Sequence, residues 1–463
     1  MTTRRQLLKA MAALPAAGSV PALLQPPVAS ARADTASGGL WRNWSGLQRA
    51  DPATQAAPAG MEELRSLIAK TAGTIRPVGS GHSFTPLMTT DDVMVNMGRF
   101  QGISSHDDGA RTATLGAGTS LIIAGSQLEG INQAFPTMPD FAGQTLAGAL
   151  ATATHGSGAQ LQCMSGYVEG LSLLTASGEH LSCDADNNPE LFQAARVNLG
   201  ALGVVTDVRL RNDPSYRLEK TLEWHPIETI LDQADEQADQ HRSFEFFYIP
   251  FSGWGFTTVQ DKTEAAPTDS EKTDQNEGLH TLRQLRDWLS WAPWLRGFGM
   301  DMYFRTLPSE YSVASSWQSY SHSRQVRFNE MEYHLPRETG LQAFREIRER
   351  VERDFPEVFF PMEIRYVKAD DIWLSPFQHQ DCISIAVHRH HAEDHRPLFE
   401  AVEPIFRRHG GRPHWGKLHS LKAGELKALY PNWKDFLAVR EELDPAGRFL
   451  NPYLRNLFGL EGA

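Results

Sequence analysis

Three groups of residues have types and spacings that could do chemistry. The first is Gly79-Ser80-Gly81-His82-Ser83-Phe84, which closes a strand-like run over residues 74–78. Glycines let backbone N–H groups approach a phosphate closely, and successive N–H groups form an anion-binding nest. The pattern lacks the third glycine of a Rossmann turn and the Lys-Ser or Lys-Thr of a P-loop, so alone it is a weak dinucleotide signal. The second group is the run from Gln144 to Gly158, which carries Thr145, Gly148, Thr152, His155 and Gly156 and almost no bulk. Such a run admits a ligand at close range, or equally a tightly packed helix followed by a turn. The third comprises Glu363-Ile-Arg365 and His388-Arg-His390, each inside an apparent strand. Two-residue spacing puts each pair on one face. A carboxylate, an imidazole and a guanidinium facing a substrate form an acid–base and charge-stabilising set. On an exposed face the same residues are an ordinary ion pair, or a histidine pair able to bind metal adventitiously.

The elements that must position these groups fall into two regions. Residues 41–213 are rich in Gly, Ala, Ser and Thr. Leu64, Leu67 and Ile68 at helical spacing, with Gly73 as the stop, predict a helix over 61–71, followed by the strand over 74–78. Helix and strand in repetition indicate an α+β or α/β layer architecture. Residues 216–460 hold most of the aromatics and charge, with a predicted strand at Ser243-Phe-Glu-Phe-Phe-Tyr-Ile249. Residues 261–278 are polar and predict a mobile surface loop. Trp288, Trp291 and Trp294 then recur every third residue, which suits a helix packed on the domain, or one covering a pocket or touching a membrane surface.

A chain of 463 residues with 41% hydrophobic residues can bury two or three domains. A formal net charge of -12 argues against a nucleic-acid partner, which needs a basic surface. The three cysteines, Cys163, Cys183 and Cys382, allow at most one bridge, and their spacing matches no zinc site.

Together the first two groups resemble the FAD-binding (PCMH-type) domain of the vanillyl-alcohol-oxidase superfamily, and within it the sugar-oxidising group of aldonolactone and alditol oxidases. Further marks are Arg42-Asn-Trp44-Ser, Phe244-Glu-Phe-Phe-Tyr-Ile-Pro250, His414-Trp-Gly-Lys417 and Asp444-Pro-x-Gly-x-Phe449-x-Asn451, in that order. The resemblance implies an α+β fold: a two-subdomain FAD-binding domain, then a substrate domain with a large antiparallel sheet flanked by helices. It implies FAD, with its pyrophosphate cradled by Gly79, Ser80, Gly81, His82 and Ser83 and its 8α-methyl group bonded to a ring nitrogen of His82. Residues 141–158, among them Ala142, Gly143, Thr145, Gly148, Thr152, His155 and Gly156, would lie against the isoalloxazine and phosphates, and the segment ending at Val205 near the adenosine. Glu363 and Arg365 would face the substrate, and His388 or Glu363 would take its hydroxyl proton. Lys417 would stabilise the negative charge that grows around flavin N1 and C2=O when N5 accepts hydride.

The implied reaction is oxidation of an aldono-1,4-lactone of the gulono, galactono or arabinono type, with oxygen reduced to hydrogen peroxide. A sugar alcohol such as xylitol or sorbitol is the second substrate class, although that branch tends to have His-x-Thr where this chain has His388-Arg-His390. A respiratory electron acceptor in place of oxygen is the other alternative. Dehydrogenases of the group often carry a small residue near flavin C4a, and Ala142 lies in the corresponding region.

The chain opens Met1-Thr-Thr-Arg4-Arg5-Gln-Leu7-Leu8-Lys9, continues through a modestly apolar Ala-rich run broken by prolines, and reaches Ala31-Arg-Ala33. These are the parts of a secretory signal of twin-arginine type, which exports proteins already folded. The apolar run is too weak for a permanent membrane anchor. The expected location is periplasmic or extracellular, with the twin-arginine export machinery as a partner. N-terminal sequencing of the protein from its native host should therefore begin after Ala33; retention of residues 1–33 would contradict the assignment.

Overall fold

The computed structural model of the chain describes residues 39–268, 279, 282–284, 286–287, 293–321 and 326–460. The expected signal at 1–33, residues 269–278 of the polar loop, Trp288, Trp291 and the side chain of Trp294 lie outside them.

The first sheet has three parallel strands, β1 (Thr54–Ala56), β2 (Ile75–Val78) and β3 (Val93–Asn96), in the order β1-β3-β2. Helix α1 (Met61–Lys70) turns its buried Leu64 and Ile68 toward Ile75, Val93 and Val95 of this sheet. β2 is an edge strand, where Pro77 removes no ladder hydrogen bond. The glycine turn leaves directly from its end.

Five antiparallel strands form a second sheet: β4 (Ile103–Asp107), β5 (Thr112–Gly116), β6 (Val168–Leu174), β7 (His180–Asp184) and β8 (Val204–Arg211), ordered β7-β6-β8-β5-β4. Helix α2 (Leu121–Gly130) and the short α3 (Leu146–Leu150) follow β5. The second small-residue run is thus half helix and half turn.

Apart from two small two-stranded sheets, the remaining strands build one eight-stranded antiparallel sheet. They are β9 (Arg217–Pro226), β10 (Ser243–Ile249), β11 (Trp254–Thr263), β12 (Glu310–Ser315), β13 (Phe328–Pro336), β14 (Met362–Val367), β15 (Cys382–His390) and β16 (Arg412–Pro413), in the order β12-β9-β11-β10-β14-β15-β13-β16. The predicted strand at 243–249 matches β10. The expected loop at 261–278 begins later than its composition implied. Asp261, Lys262 and Thr263 continue β11 opposite Glu219, Leu218 and Arg217, and Thr268 still bonds Val313 at 3.0 Å. Polar composition there marks solvent-facing side chains, not a backbone without partners.

The two faces of this sheet differ sharply in chemistry. Phe246, Ile364, Ile385 and Tyr333 sit opposite one another on adjacent strands and are all buried. Behind them helix α4 (Arg337–Asp354) packs Ala343, Phe344, Ile347 and Val351, and Gly340 lets that helix close onto β15: a Cβ there would meet Ile383 at 2.5 Å. The opposite face carries Glu245, Arg365, Ser384 and His334 in one row and Glu363, Ala386 and Glu332 in the next. It is buried too, against the N-terminal region. Gly158 N–H donates to the Tyr366 carbonyl at 2.7 Å, Lys368 N–H to the Leu161 carbonyl at 2.8 Å, and Ser157 to the Phe244 carbonyl. Cys163, Cys183 and Cys382 are buried free thiols. Among the described residues, no helix is long and apolar enough to cross a membrane.

The apolar face is the part of the core that holds the charged face in register. Ile364→Ala should cost about 2–5 kcal/mol of unfolding free energy, measurable by denaturant titration; a loss well under that range would mean that the layer repacks around the gap.

Candidate active site

A cleft open to solvent, with about 1180 Å³ of space between its walls, runs between the two regions. One end is the glycine turn with Asn198, Leu199 and Gly200, and the other is Glu332, Arg365, His414 and Lys417 on and beside the charged sheet face.

The turn is pinned through its carbonyls. Trp44 N–H donates to Gly81 O at 2.8 Å, and the Asn43 amide donates to Ser83 O at 2.9 Å. Phe84 N–H donates to the Gly416 carbonyl at 2.7 Å, which ties the turn to the Lys417 segment. Gly81 takes φ 68°, a left-handed conformation, and a Cβ there would press on the Trp41 ring at 3.0 Å. Among the described residues, no protein acceptor receives the N–H groups of Ser80, Gly81 or Ser83. Carbonyls engaged and N–H groups left over make an anion-accepting nest. The ring of His82 lies on the cleft wall, stacked on Phe141 at 4.3 Å and flanked by Trp44 at 4.7 Å.

At the other end, charge converges on Glu332, whose side chain is 1% exposed. Its Oε1 accepts from Arg365 Nη2 at 2.6 Å and lies 3.0 Å from His155 Nε2, while its Oε2 lies 3.9 Å from Lys417 Nζ. Burial alone would raise this carboxyl, but the Arg365 guanidinium and His155 override it and hold it well below the usual range. Lys417 Nζ also donates to Glu330 Oε2 at 2.5 Å and sits 5.1 Å above the Phe84 ring. Glu330 Oε1 is 3.7 Å from His388 Nε2, and His388 Nδ1 donates to the Pro361 carbonyl at 3.0 Å. Glu363 lies 3.5 Å from Arg365 Nε and groups with Asp140 and Glu245. Burial pushes Glu245 well above the usual range, and the Asp140 and Glu363 charges add to this.

Three imidazoles, His155, His334 and His414, surround Glu332 with ring centres 5.0–6.0 Å apart. Burial lowers all three; Arg365 repels a proton from His155, the neighbouring His155 from His334, and Lys417 from His414. His155, Glu332 and His334 have the spacing of a metal site. Part of the set is already engaged, His155 Nε2 with Glu332, Glu332 Oε1 with Arg365 and His334 Nδ1 with Ser384 at 2.6 Å, while Glu332 Oε2 and His334 Nε2 have no hydrogen-bond partner among the described residues. Two fixed cations beside them also repel a metal ion.

Of the residues singled out from sequence, Gly79, Ser80, Gly81, His82, Ser83, Thr145, Gly148, Thr152, His155, Val205, Arg365 and Lys417 line the cleft. Ala142, Gly143, Gly156, Glu363 and His388 do not. Ala142 is buried, with its carbonyl on Ile122 N–H at 2.9 Å, and Gly156 is needed for close chain packing, since a Cβ would meet Met138 O at 2.5 Å. Glu363 and His388 share the charged face but reach the cleft only through Arg365 and Glu330. Sequence reading passed over Glu330, Glu332 and His334. Their signal was Glu330-Met-Glu332-Tyr-His334, polar residues alternating with apolar ones, the same period-two pattern that marked Glu363 and Arg365. His414 was noted within a motif and given no task.

The cleft suits FAD. The small residues Gly148, Ala151 and Gly203 along its wall, the N–H nest at one end and fixed cations at the other match a dinucleotide with a charge-accepting ring.

The sequence profile of an FAD binding domain matches residues 52–184, and that of D-arabinono-1,4-lactone oxidase matches residues 208–457. An L-gulono-1,4-lactone dehydrogenase of Mycobacterium tuberculosis is 35% identical over 91% of this chain and 99% of its own length. An L-gulonolactone oxidase of Bos taurus is 31% identical over 91% and 98%, and an alditol oxidase of a Streptomyces species 28% identical over 90% and 98%. A solved cholesterol oxidase from Brevibacterium sterolicum superposes with a TM-score of 0.76 over 95% of this chain and all of its own, at 16% identity. That likeness shows a shared fold.

The buried imidazoles make the site sensitive to acid. Each is neutral when folded and binds a proton when unfolded below its ordinary value of 6.5, so stability falls as pH drops through that value. His419, held to about 4 by burial, acts in the same direction. Glu245 and Asp370, both raised, act oppositely above the ordinary carboxyl range. His390 and His395, lowered by burial as well, act with the other imidazoles, so the lowered imidazoles outnumber the two raised carboxyls and acidification brings a net loss. Thermal unfolding between about pH 7 and 5 should show Tm falling, with a shallower slope in His334→Gln; an identical slope would remove His334 from the balance.

Proposed function

Because the chain belongs to the D-arabinono-1,4-lactone oxidase family, we propose that it oxidises a carbinol of an aldono-1,4-lactone of the gulono, galactono or arabinono type. It is an FAD-dependent oxidoreductase acting on CH–OH groups. The observation that carries the reading is a single cleft joining an anion-accepting glycine turn to a cationic sheet face. The substrate carbon loses a hydride, the hydroxyl a proton, and oxygen is reduced to hydrogen peroxide.

FAD, when bound, supplies the hydride acceptor and later the electrons for oxygen. The chain binds, orients and polarises. Ser80, Gly81 and Ser83 offer N–H groups to the pyrophosphate. Arg365, locked by Glu332, presents a cation to the ring oxygens of the lactone. Lys417, held between Glu330 and the Phe84 ring, supplies positive charge where the accepting ring becomes anionic. Glu363, beside Arg365 but off the cleft wall, is one candidate base for the hydroxyl proton. His388 is the other candidate base and acts through Glu330. Support for His82 as the covalent attachment point is its ring, sandwiched between Phe141 and Trp44 on the cleft wall. Export by the twin-arginine route, after the cofactor is captured, completes the proposal.

Two alternatives rest on the relatives. The Streptomyces alditol oxidase keeps a sugar alcohol open as substrate. The Mycobacterium dehydrogenase keeps another electron acceptor open, although Ala142 stands away from the cleft.

Acid precipitation of the yellow protein should leave the colour in the pellet for the wild type and release it from His82→Ala; colour released from both would remove the covalent bond. Peroxide should form with aldonolactones faster than with xylitol or sorbitol, and dye reduction without peroxide would instead indicate a dehydrogenase. Lys417→Met should slow flavin reduction by about two orders of magnitude or more, and near-normal reduction would end its proposed role.

A further inference from the structure

Arg76 lies in β2 just before the glycine turn, and only 1% of it is exposed. Its Nε donates to Leu87 O at 2.8 Å, Nη1 to Gly200 O at 2.7 Å and to Phe449 O, and Nη2 to Leu199 O at 2.8 Å. Every partner is a neutral carbonyl. Among the described residues, no carboxylate stands within ion-pair distance of it. Burial lowers its pKa to about 9, as expected of a cation with no counter-charge. Four N–H groups all directed at carbonyls suit the charged guanidinium, which has donors and no acceptor, so the charge stays.

The place of this charge is informative. The ionised side chains on the cleft wall are Arg76, Arg365, Lys417 and Glu332. The last three form one cluster at the sheet end. Arg76 stands apart, at the end where the N–H groups of Ser80, Gly81 and Ser83 lack protein acceptors. Arg448 and Arg412 also donate to carbonyls, but both are only partly buried and neither lines the cleft. A buried cation beside a nest of N–H groups is complementary to a compact dianion.

We infer that Arg76 is the fixed counter-charge for the pyrophosphate of FAD, held under the glycine turn by the carbonyls of residues 87, 199, 200 and 449. The inference rests on the FAD reading above. It makes Arg76 a positioning residue with two tasks: it clamps three chain segments, and it supplies the positive charge that the turn itself lacks.

The two tasks separate experimentally. Full-length FAD-free protein carrying His82→Ala keeps flavin binding reversible, and flavin fluorescence then gives Kd for FAD and for riboflavin, which has no pyrophosphate. Adding Arg76→Met should raise the Kd for FAD by roughly tenfold to a hundredfold and leave that for riboflavin within about twofold, with a smaller Tm gain on loading. Equal weakening of both ligands, or no weakening of FAD, would reduce Arg76 to a clamp and overturn the inference. Should Arg76→Met fail to fold, Arg76→Lys decides: it should lose apo Tm yet keep the preference for FAD over riboflavin, and loss of that preference would overturn the inference. A parent protein that binds neither flavin would overturn the FAD reading as well, a result distinct from the others.

Discussion

The carboxylate of Glu332, almost wholly buried, holds a guanidinium at 2.6 Å and an imidazole at 3.0 Å. Two cations on one face of a buried sheet would repel each other and the protein around them. One anion between them changes the balance, because removing a single partner from a buried ion pair typically costs about 3–5 kcal/mol. Arg365 therefore has one geometry available and Lys417 little more, since Glu330 and the Phe84 ring fix its amine. The site is preorganised before any ligand arrives.

That arrangement depends on strand register. Glu332 and Arg365 face the cleft, with Glu363 beside them on the same sheet face, only because Tyr333, Ile364 and Ile385 fill the layer behind them. A slip of one residue would put Ile364 in the cleft and Arg365 in the apolar layer. The antiparallel neighbours, the helix carrying Phe344 and Ile347, and the hydrogen bonds from Ser157 to β10 and from Gly158 to β14 all exclude that slip. The charged face and the hydrophobic core are in this sense one constraint.

Much of this was legible in the chain itself. The helix at Met61–Lys70, the strands at Ile75–Val78 and Ser243–Ile249, the glycine turn and the shared face of Glu363 and Arg365 follow from periodicity and punctuation. The family marks added the cofactor and Lys417. What stayed hidden was pairing across long separations. Glu332 meets His155, 177 positions away, and Arg76 meets Phe449, 373 away; no local pattern contains either contact. A polar residue in a strand does not announce whether its face is wet or buried. Glu330, Glu332 and His334, alternating with Met331, Tyr333 and Leu335, fit a solvated face as well as a buried one. The same ambiguity misled in the opposite direction at Asp261–Thr263, where polar residues occupy a regular strand.

The account turns on Glu332 as the anion that locks the cationic face. The most direct measurement is anaerobic stopped-flow reduction of the FAD-loaded protein by an aldono-1,4-lactone, compared between wild type and Glu332→Gln. The variant keeps the shape and loses the charge. The account predicts that FAD stays bound while the reduction rate falls by about two orders of magnitude, as for a buried pair worth ~3 kcal/mol. Reduction at the wild-type rate, with FAD bound and the fold intact, would contradict it.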